Sequence, residues 1–197
     1  MTCNRGGRIR YSVKSVIVIA GSAVSIAAMA CSGRDTDKSA ETMQQATALG
    51  DSAKAIAANL AKFDTLDFDV FSNQKWDRLK ESHAADIIVS WPDGHDTHGL
   101  DRHIADLKAM FVALPDLKIT EHPIRIANGH WTAVTGRMVA TFSKPMPMAD
   151  GKAVPPTGKK LDLTMATIGH WTDAGVMDHE WLFWDNQTYM KQLGLAK

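Results

Sequence analysis

The sequence predicts an α+β domain: helix-periodic segments come first, a run of alternating segments follows, and Asn128-Gly129 sits between two of them as hairpin chemistry. In such a chain the helices cover one face of a curved antiparallel sheet. About three helices cannot fill the concave side of a strongly curved sheet, so a pocket is expected there.

The elements follow in order. Arg5, Arg8, Arg10 and Lys14 make a basic start, and Ser15 to Ala30 is small and apolar but short for a bilayer span. Residues 1–30 therefore read as a signal peptide. Ala28-Met29-Ala30-Cys31 resembles a bacterial lipobox, which makes Cys31 the expected lipidation site; ordinary cleavage after Ala30 is the alternative. Ser32 stands where an inner-membrane retention aspartate would, so the periplasmic face of the outer membrane is the expected destination. Cys3 lies in the segment removed, and the domain is expected to hold no disulfide.

The presequence carries four of the 22 basic residues and none of the 22 acidic ones, so the remaining chain stands at −4. That balance gives no electrostatic footprint for nucleic acid. Residues 31–50 read as a polar tether, partly helical, and residues 51–197 are long enough for one hydrophobic core.

Ile56, Leu60 and Phe63 recur at helical spacing, and a second helical stretch is expected to carry Phe71, Trp76 and Leu79. Ala85 to Trp91 reads as a strand stopped by Pro92-Asp93-Gly94. Ile104, Leu107, Met110, Phe111 and Leu114 predict a helix over 100–114, ended by Pro115. Strands are expected at 117–127, 130–142, 160–171 and 176–184, with 144–158 as a lid or a long hairpin loop. A short helix over 187–193 closes the chain.

On the last strand, alternation places Met177, His179, Trp181, Phe183 and Asp185 on one face and Val176, Asp178, Glu180, Leu182 and Trp184 on the other. The first set, mostly apolar with one carboxylate, is expected to wall the pocket. A turn centred between Asp173 and Ala174 would pair His170 with Met177 on that same face. Trp91, Met165, Trp181 and Phe183 are candidate lining residues, with His98 at the rim and His122 beside them; the aromatic ones serve equally as core. His95, Asp96, His98 and His103 invite a metal reading, but turn position and five-residue spacing argue against it, and His103 is expected to be exposed. No nucleophile elbow, phosphate loop or dinucleotide glycine motif is present.

Trp91-Pro92-Asp93-Gly94 leading to His98-Gly99-Leu100, Phe111 with Pro115-Asp116, Pro156-Thr157-Gly158-Lys159, and Trp181…Asp185…Gln192-Leu193-Gly194 occur in an order that resembles the SnoaL-like polyketide cyclase or ester cyclase family, within the nuclear transport factor 2-like superfamily. The likeness covers about residues 66–197. It implies a cone-shaped fold and acid/base chemistry without metal or organic cofactor on a small hydrophobic carbonyl compound, of cyclase, isomerase or hydrolase type. It assigns the acid/base role to Asp185 and places His170 where relatives keep a histidine, with His179 replacing a common glutamate. Asp185 serves equally as the N-cap of the closing helix. Two other classes stay open: a non-catalytic lipoprotein holding a hydrophobic ligand, and a dimerising interaction module that pairs through its open sheet face.

Overall fold

The computed structural model describes residues 33–148 and 150–197; the signal peptide and Cys31 lie outside them. Gly33–Glu41, the first turns of a helix, fall in one unit, and Thr42–Lys197 form the domain.

Helix α1 (Gly33–Thr65) runs continuously through the expected tether boundary. Its first half is polar, with Ala, Thr, Gln and Asp, and is exposed where its side chains are described. Burial begins at Asn59 and Phe63. The expected second helix is instead a π-helical turn, Leu66–Phe71, and a 3-10 turn, Trp76–Glu81. The wider winding turns Leu66, Asp67, Val70 and Phe71 inward together. Ser72 secures it by donating its hydroxyl to the Asp67 carbonyl at 2.6 Å and accepting the Ile119 amide at 3.0 Å.

Strands β1 (His83–Ser90) and β2 (Asp96–His98) lead into helix α2 (Leu100–Ala113). Beyond it lie β3 (Lys118–Ile119), β4 (Arg125–Asn128), β5 (Trp131–Thr141), β6 (Met146–Pro147), β7 (Ala153–Val154), β8 (Lys160–Trp171), β9 (Met177–Phe183) and α3 (Asn186–Leu193). The expected strand at 117–127 is broken between β3 and β4, and the 144–158 segment forms its own β6-β7 hairpin. Met146 and Val154 pack that hairpin against the core.

The main sheet runs β2-β1-β9-β8-β5-β3, with β4 also on β5. It is curved and mixed rather than wholly antiparallel, because β1 lies parallel to β9. The chain reaches that position only through α2 and the whole meander, and a crossover of that length permits parallel pairing. On β8 the inward residues are Leu161, Leu163, Met165, Thr167, Gly169 and Trp171, alternating with Asp162, Thr164 and His170 outward. Leu161, Leu163, Met165 and Trp171 meet Phe63, Leu66, Leu107, Phe111 and Phe142 in one core. Gly169 allows close approach: a Cβ there would lie 2.5 Å from the Met177 sulfur and 3.1 Å from Thr132 Oγ1. Gly194, at φ 76°, ends α3 in the left-handed conformation that only glycine adopts cheaply.

Among the described residues, no helix is long and apolar enough to cross a membrane.

Candidate functional site

Between α2, the π-helical turn and the inner sheet face lies a narrow cavity with a volume of about 40 Å³ for the centres of water-sized groups. Its wall is mostly apolar, with Phe71, Trp91, Leu107, Met138, Met165 and Leu182. Asp67, His83, His103, Thr167 and Glu180 bring polar groups into it.

Three of these converge. Glu180 comes from the middle of β9, His83 from the start of β1 and His103 from the first turns of α2, where it shares a face with Leu107 and Phe111. Each is nearly sealed, at 5%, 2% and 2% exposure. Glu180 Oε2 lies 3.6 Å from His83 Nε2 and 3.4 Å from His103 Nε2. Both distances exceed the 2.7–2.9 Å of a closed charge-assisted hydrogen bond. Among the described residues, Glu180 Oε2, His83 Nε2 and His103 Nδ1 have no hydrogen-bond partner. His83 Nδ1 lies 3.2 Å from the Leu79 carbonyl and 2.9 Å from Ser82 Oγ. These contacts orient the ring with Nε2 towards Glu180.

The charges follow from burial and pairing. Burial pushes the Glu180 carboxyl up, but the two imidazoles, His83 foremost, outweigh it and hold Glu180 below its ordinary value. Burial pulls His103 down to about 4 despite the attraction of Glu180, so it is neutral at physiological pH. The result is an ionised carboxylate beside neutral His103 in an apolar chamber. The three donor atoms also lie within 4.8 Å of one another, and they are the one set among the described residues that could hold a metal ion.

A second carboxylate reaches the same cavity. Asp67, at the π-helical turn, binds His122 Nε2 through Oδ2 at 2.8 Å, and His122 Nδ1 binds Asp64 Oδ1 at 2.8 Å. Burial pushes Asp67 up more than its bond to His122 pulls it down. His122 is pulled down by burial but raised further by its two carboxylate partners.

Of the residues expected at the site, Trp91 and Met165 line this cavity. His122 stands behind its wall, touching Asp67. His98 is exposed on β2, while His103, expected to be exposed, is among the most buried polar groups.

The strand faces differ from expectation. A bulge between His170 and Trp171 pairs Trp171 with Met177 and His170 with His179, not His170 with Met177. Met177, Glu180 and Leu182 are buried, whereas His179, Trp181 and Phe183 turn to the outer face. There Trp131, His170, Asp178, His179 and Trp181 surround a shallow hollow. His179 stacks on Trp181 with ring centroids 3.5 Å apart, and His170 Nδ1 binds Asp178 Oδ1 at 2.6 Å. Phe183 is 48% exposed.

Asp185 caps α3. Its Oδ1 accepts from the amides of Gln187 and Thr188 at 2.8 and 3.1 Å, and its Oδ2 accepts from the Thr188 hydroxyl at 2.7 Å. The Thr188 bonds hold its carboxyl low, and both oxygens are committed to the helix N-terminus, outside the cavity.

Sequence reasoning passed over Glu180, His83 and Asp67. The signal for Glu180 was on β8: the Leu161-Leu163-Met165 alternation sets its inner face, and the pairing of Gly169 with Glu180 carries that face across to β9.

The fold recurs in solved structures. A protein described as a SnoaL-like polyketide cyclase from Jannaschia sp. CCS1 matches with a TM-score of 0.61 at 19% identity, over 72% of this chain and 94% of that one. IdmH, described as a polyketide cyclase from Streptomyces antibioticus, matches at 0.56 and 22% identity, over 73% and 98%. A protein described as a polyketide cyclase from Acidithiobacillus ferrooxidans matches at 0.56 and 19%, over 73% and 96%. None of the curated proteins matches this chain. The model of the SnoaL-like polyketide cyclases matches residues 63–193, which hold the cavity and every element around it, and the chain belongs to that family.

Proposed function

We propose that the cavity performs proton transfer, without a metal or organic cofactor, on a small and mainly apolar carbonyl compound, as in a cyclisation or isomerisation. The supporting observation is Glu180: a buried, ionised carboxylate flanked by two imidazoles, with its Oε2 unpartnered and apolar walls around it. Such a group takes a proton from a carbon next to a carbonyl, and its depressed pKa keeps it ionised and ready as the base at neutral pH. Family membership supports this reaction class. Exchange of the α-protons of 2-tetralone in D2O, followed by NMR, tests it. Acceleration over buffer that persists in EDTA supports the reading; a rate equal to buffer ends it, and loss with EDTA moves the role to a metal on the same three residues.

The same reading places the protein in a bacterial envelope, anchored through a lipid on Cys31. Its support is the basic and apolar presequence ending in Ala28-Met29-Ala30-Cys31. Cys31→Ser should release the protein from the membrane fraction, and retention of the variant would refute the anchor.

The outer sheet face supports a homodimer: Trp131 and Phe183 are 48% exposed and Ile126 is 61% exposed. Sedimentation of residues 51–197 should show the dimer, and a monomer at micromolar concentration would end that reading.

A further inference from the structure

We propose that Asp67 is the general acid of this cavity, delivering a proton to the substrate's carbonyl oxygen while Glu180 removes the proton from carbon, and that His122 positions it. The inference rests on the proton-transfer reading above and adds the second half of the reaction.

Asp67 sits where the π-helical turn leaves α1, with its side chain 11% exposed, and it lines the cavity. His122 approaches from the β3-β4 connection with its ring 2% exposed. Phe63 and Phe68 lie against that ring, at centroid distances of 5.9 and 4.3 Å. Both ring nitrogens are occupied, Nδ1 by Asp64 and Nε2 by Asp67. Asp64 is about one-third exposed and is bound in turn by Arg125 at 2.9 Å. The cationic form of His122 therefore finds its counter-charge in Asp64 and need not draw it from Asp67.

This arrangement decides where the Asp67 proton goes. In the cationic form of His122, Nε2–H donates to Oδ2, which then acts as the carbonyl oxygen of a neutral carboxyl. The acid proton is left on Oδ1, which receives no hydrogen bond from the described residues. The groups facing Asp67 are His122 and, across the cavity, Glu180 and His83. The negative charge on Glu180 disfavours a second charge nearby, so environment drives the two carboxyls apart: one ionised as base, one protonated as acid.

The step balances within the site. The Glu180 carboxylate takes the α-proton, and the C–H pair becomes the carbon–carbon π bond of an enol. The carbonyl π pair moves to oxygen, which takes the Asp67 proton. Glu180 is left neutral and Asp67 ionised beside the His122 cation. Return of both protons, to the same or another carbon and to Asp67, restores the site.

Two measurements test this. In the ligand-free protein, the carboxyl carbon resonance that disappears in Asp67→Asn should titrate above the ordinary aspartate value of about 3.9; titration at or below it overturns the proposal. With 2-tetralone, Asp67→Asn should slow α-proton exchange roughly 100-fold and remove the alkaline fall of the wild-type rate. His122→Gln keeps an N–H near the Nε2 position but removes the charge, and should move that fall to higher pH; a clamp that served only to hold the fold would leave it in place. Exchange absent from the wild type sinks the proton-transfer reading itself. Exchange lost in Glu180→Gln yet unchanged in Asp67→Asn, with the same alkaline fall, sinks this inference alone.

Discussion

Glu180→Gln should lower 2-tetralone exchange by about 10²–10⁴-fold, the usual contribution of a positioned acid or base. The amide keeps the size and shape of the side chain between His83 and His103 but cannot accept a proton at neutral pH. His83 Nδ1 remains held by Ser82 and the Leu79 carbonyl, so the pocket geometry should survive. Affinity for a hydrophobic ligand should change little, because Trp91, Met165 and Leu182 supply the contact area. Calorimetric binding beside the exchange rate separates the effects, and a variant as active as the wild type would remove Glu180 from the chemistry. Ligand binding retained by a wild type without exchange would favour the non-catalytic binder.

Acidification should destabilise the domain through His103. The unfolded chain takes up its proton near pH 6.5, whereas the folded protein holds this histidine neutral down to about 4. Between those values the unfolded state binds more protons, so stability rises with pH and is lost as pH falls from 6.5 towards 4. A shift of that size corresponds to about 3 kcal/mol, a large share of a domain's stability. Denaturant unfolding at pH 7 and pH 4.5 should show most of this loss in the wild type and much less in His103→Gln. Equal losses in the two would mean that His103 is not held neutral.

The two carboxyls of the cavity also predict the shape of the activity profile. Glu180 must be ionised and Asp67 protonated, so the rate should rise below the ordinary glutamate range and fall above the ordinary aspartate range.

How much of this was legible in the sequence depends on how local each determinant is. Leu107 and Phe111 at four-residue spacing defined α2, and Asn128-Gly129 defined the β4-β5 hairpin. Asp185 three residues before Thr188 marked a helix start, and Gly194 its end. The same α2 spacing, extended back one turn, reaches His103; reading the histidine through its neighbours His95 and His98 hid its place on the buried face.

The β9 face was misjudged for a different reason. Composition favoured the aromatic set, His179, Trp181 and Phe183, as an inner wall, but burial goes to whichever residues the register carries inward. The pairing of inward Gly169 with Glu180 sends Glu180 and Leu182 inward and Trp181 outward, and the bulge at His170/Trp171 brings Met177 to the same side as Glu180. A buried glutamate is costly in isolation, and nothing near it in sequence advertises the two histidines that make it tolerable.

The sequence by itself therefore determined the fold class, the helices with periodic faces, the hairpin, the presequence pattern and the family. These rest on interactions within a few residues or on the order of short motifs. Only the tertiary structure decided which carboxylates meet the cavity. Glu180, His83 and His103 are brought together by the parallel β1-β9 pairing and the α2 crossing, and Asp67 meets His122 across 55 residues of chain. Contacts at that separation depend on register and winding, which a linear pattern does not encode.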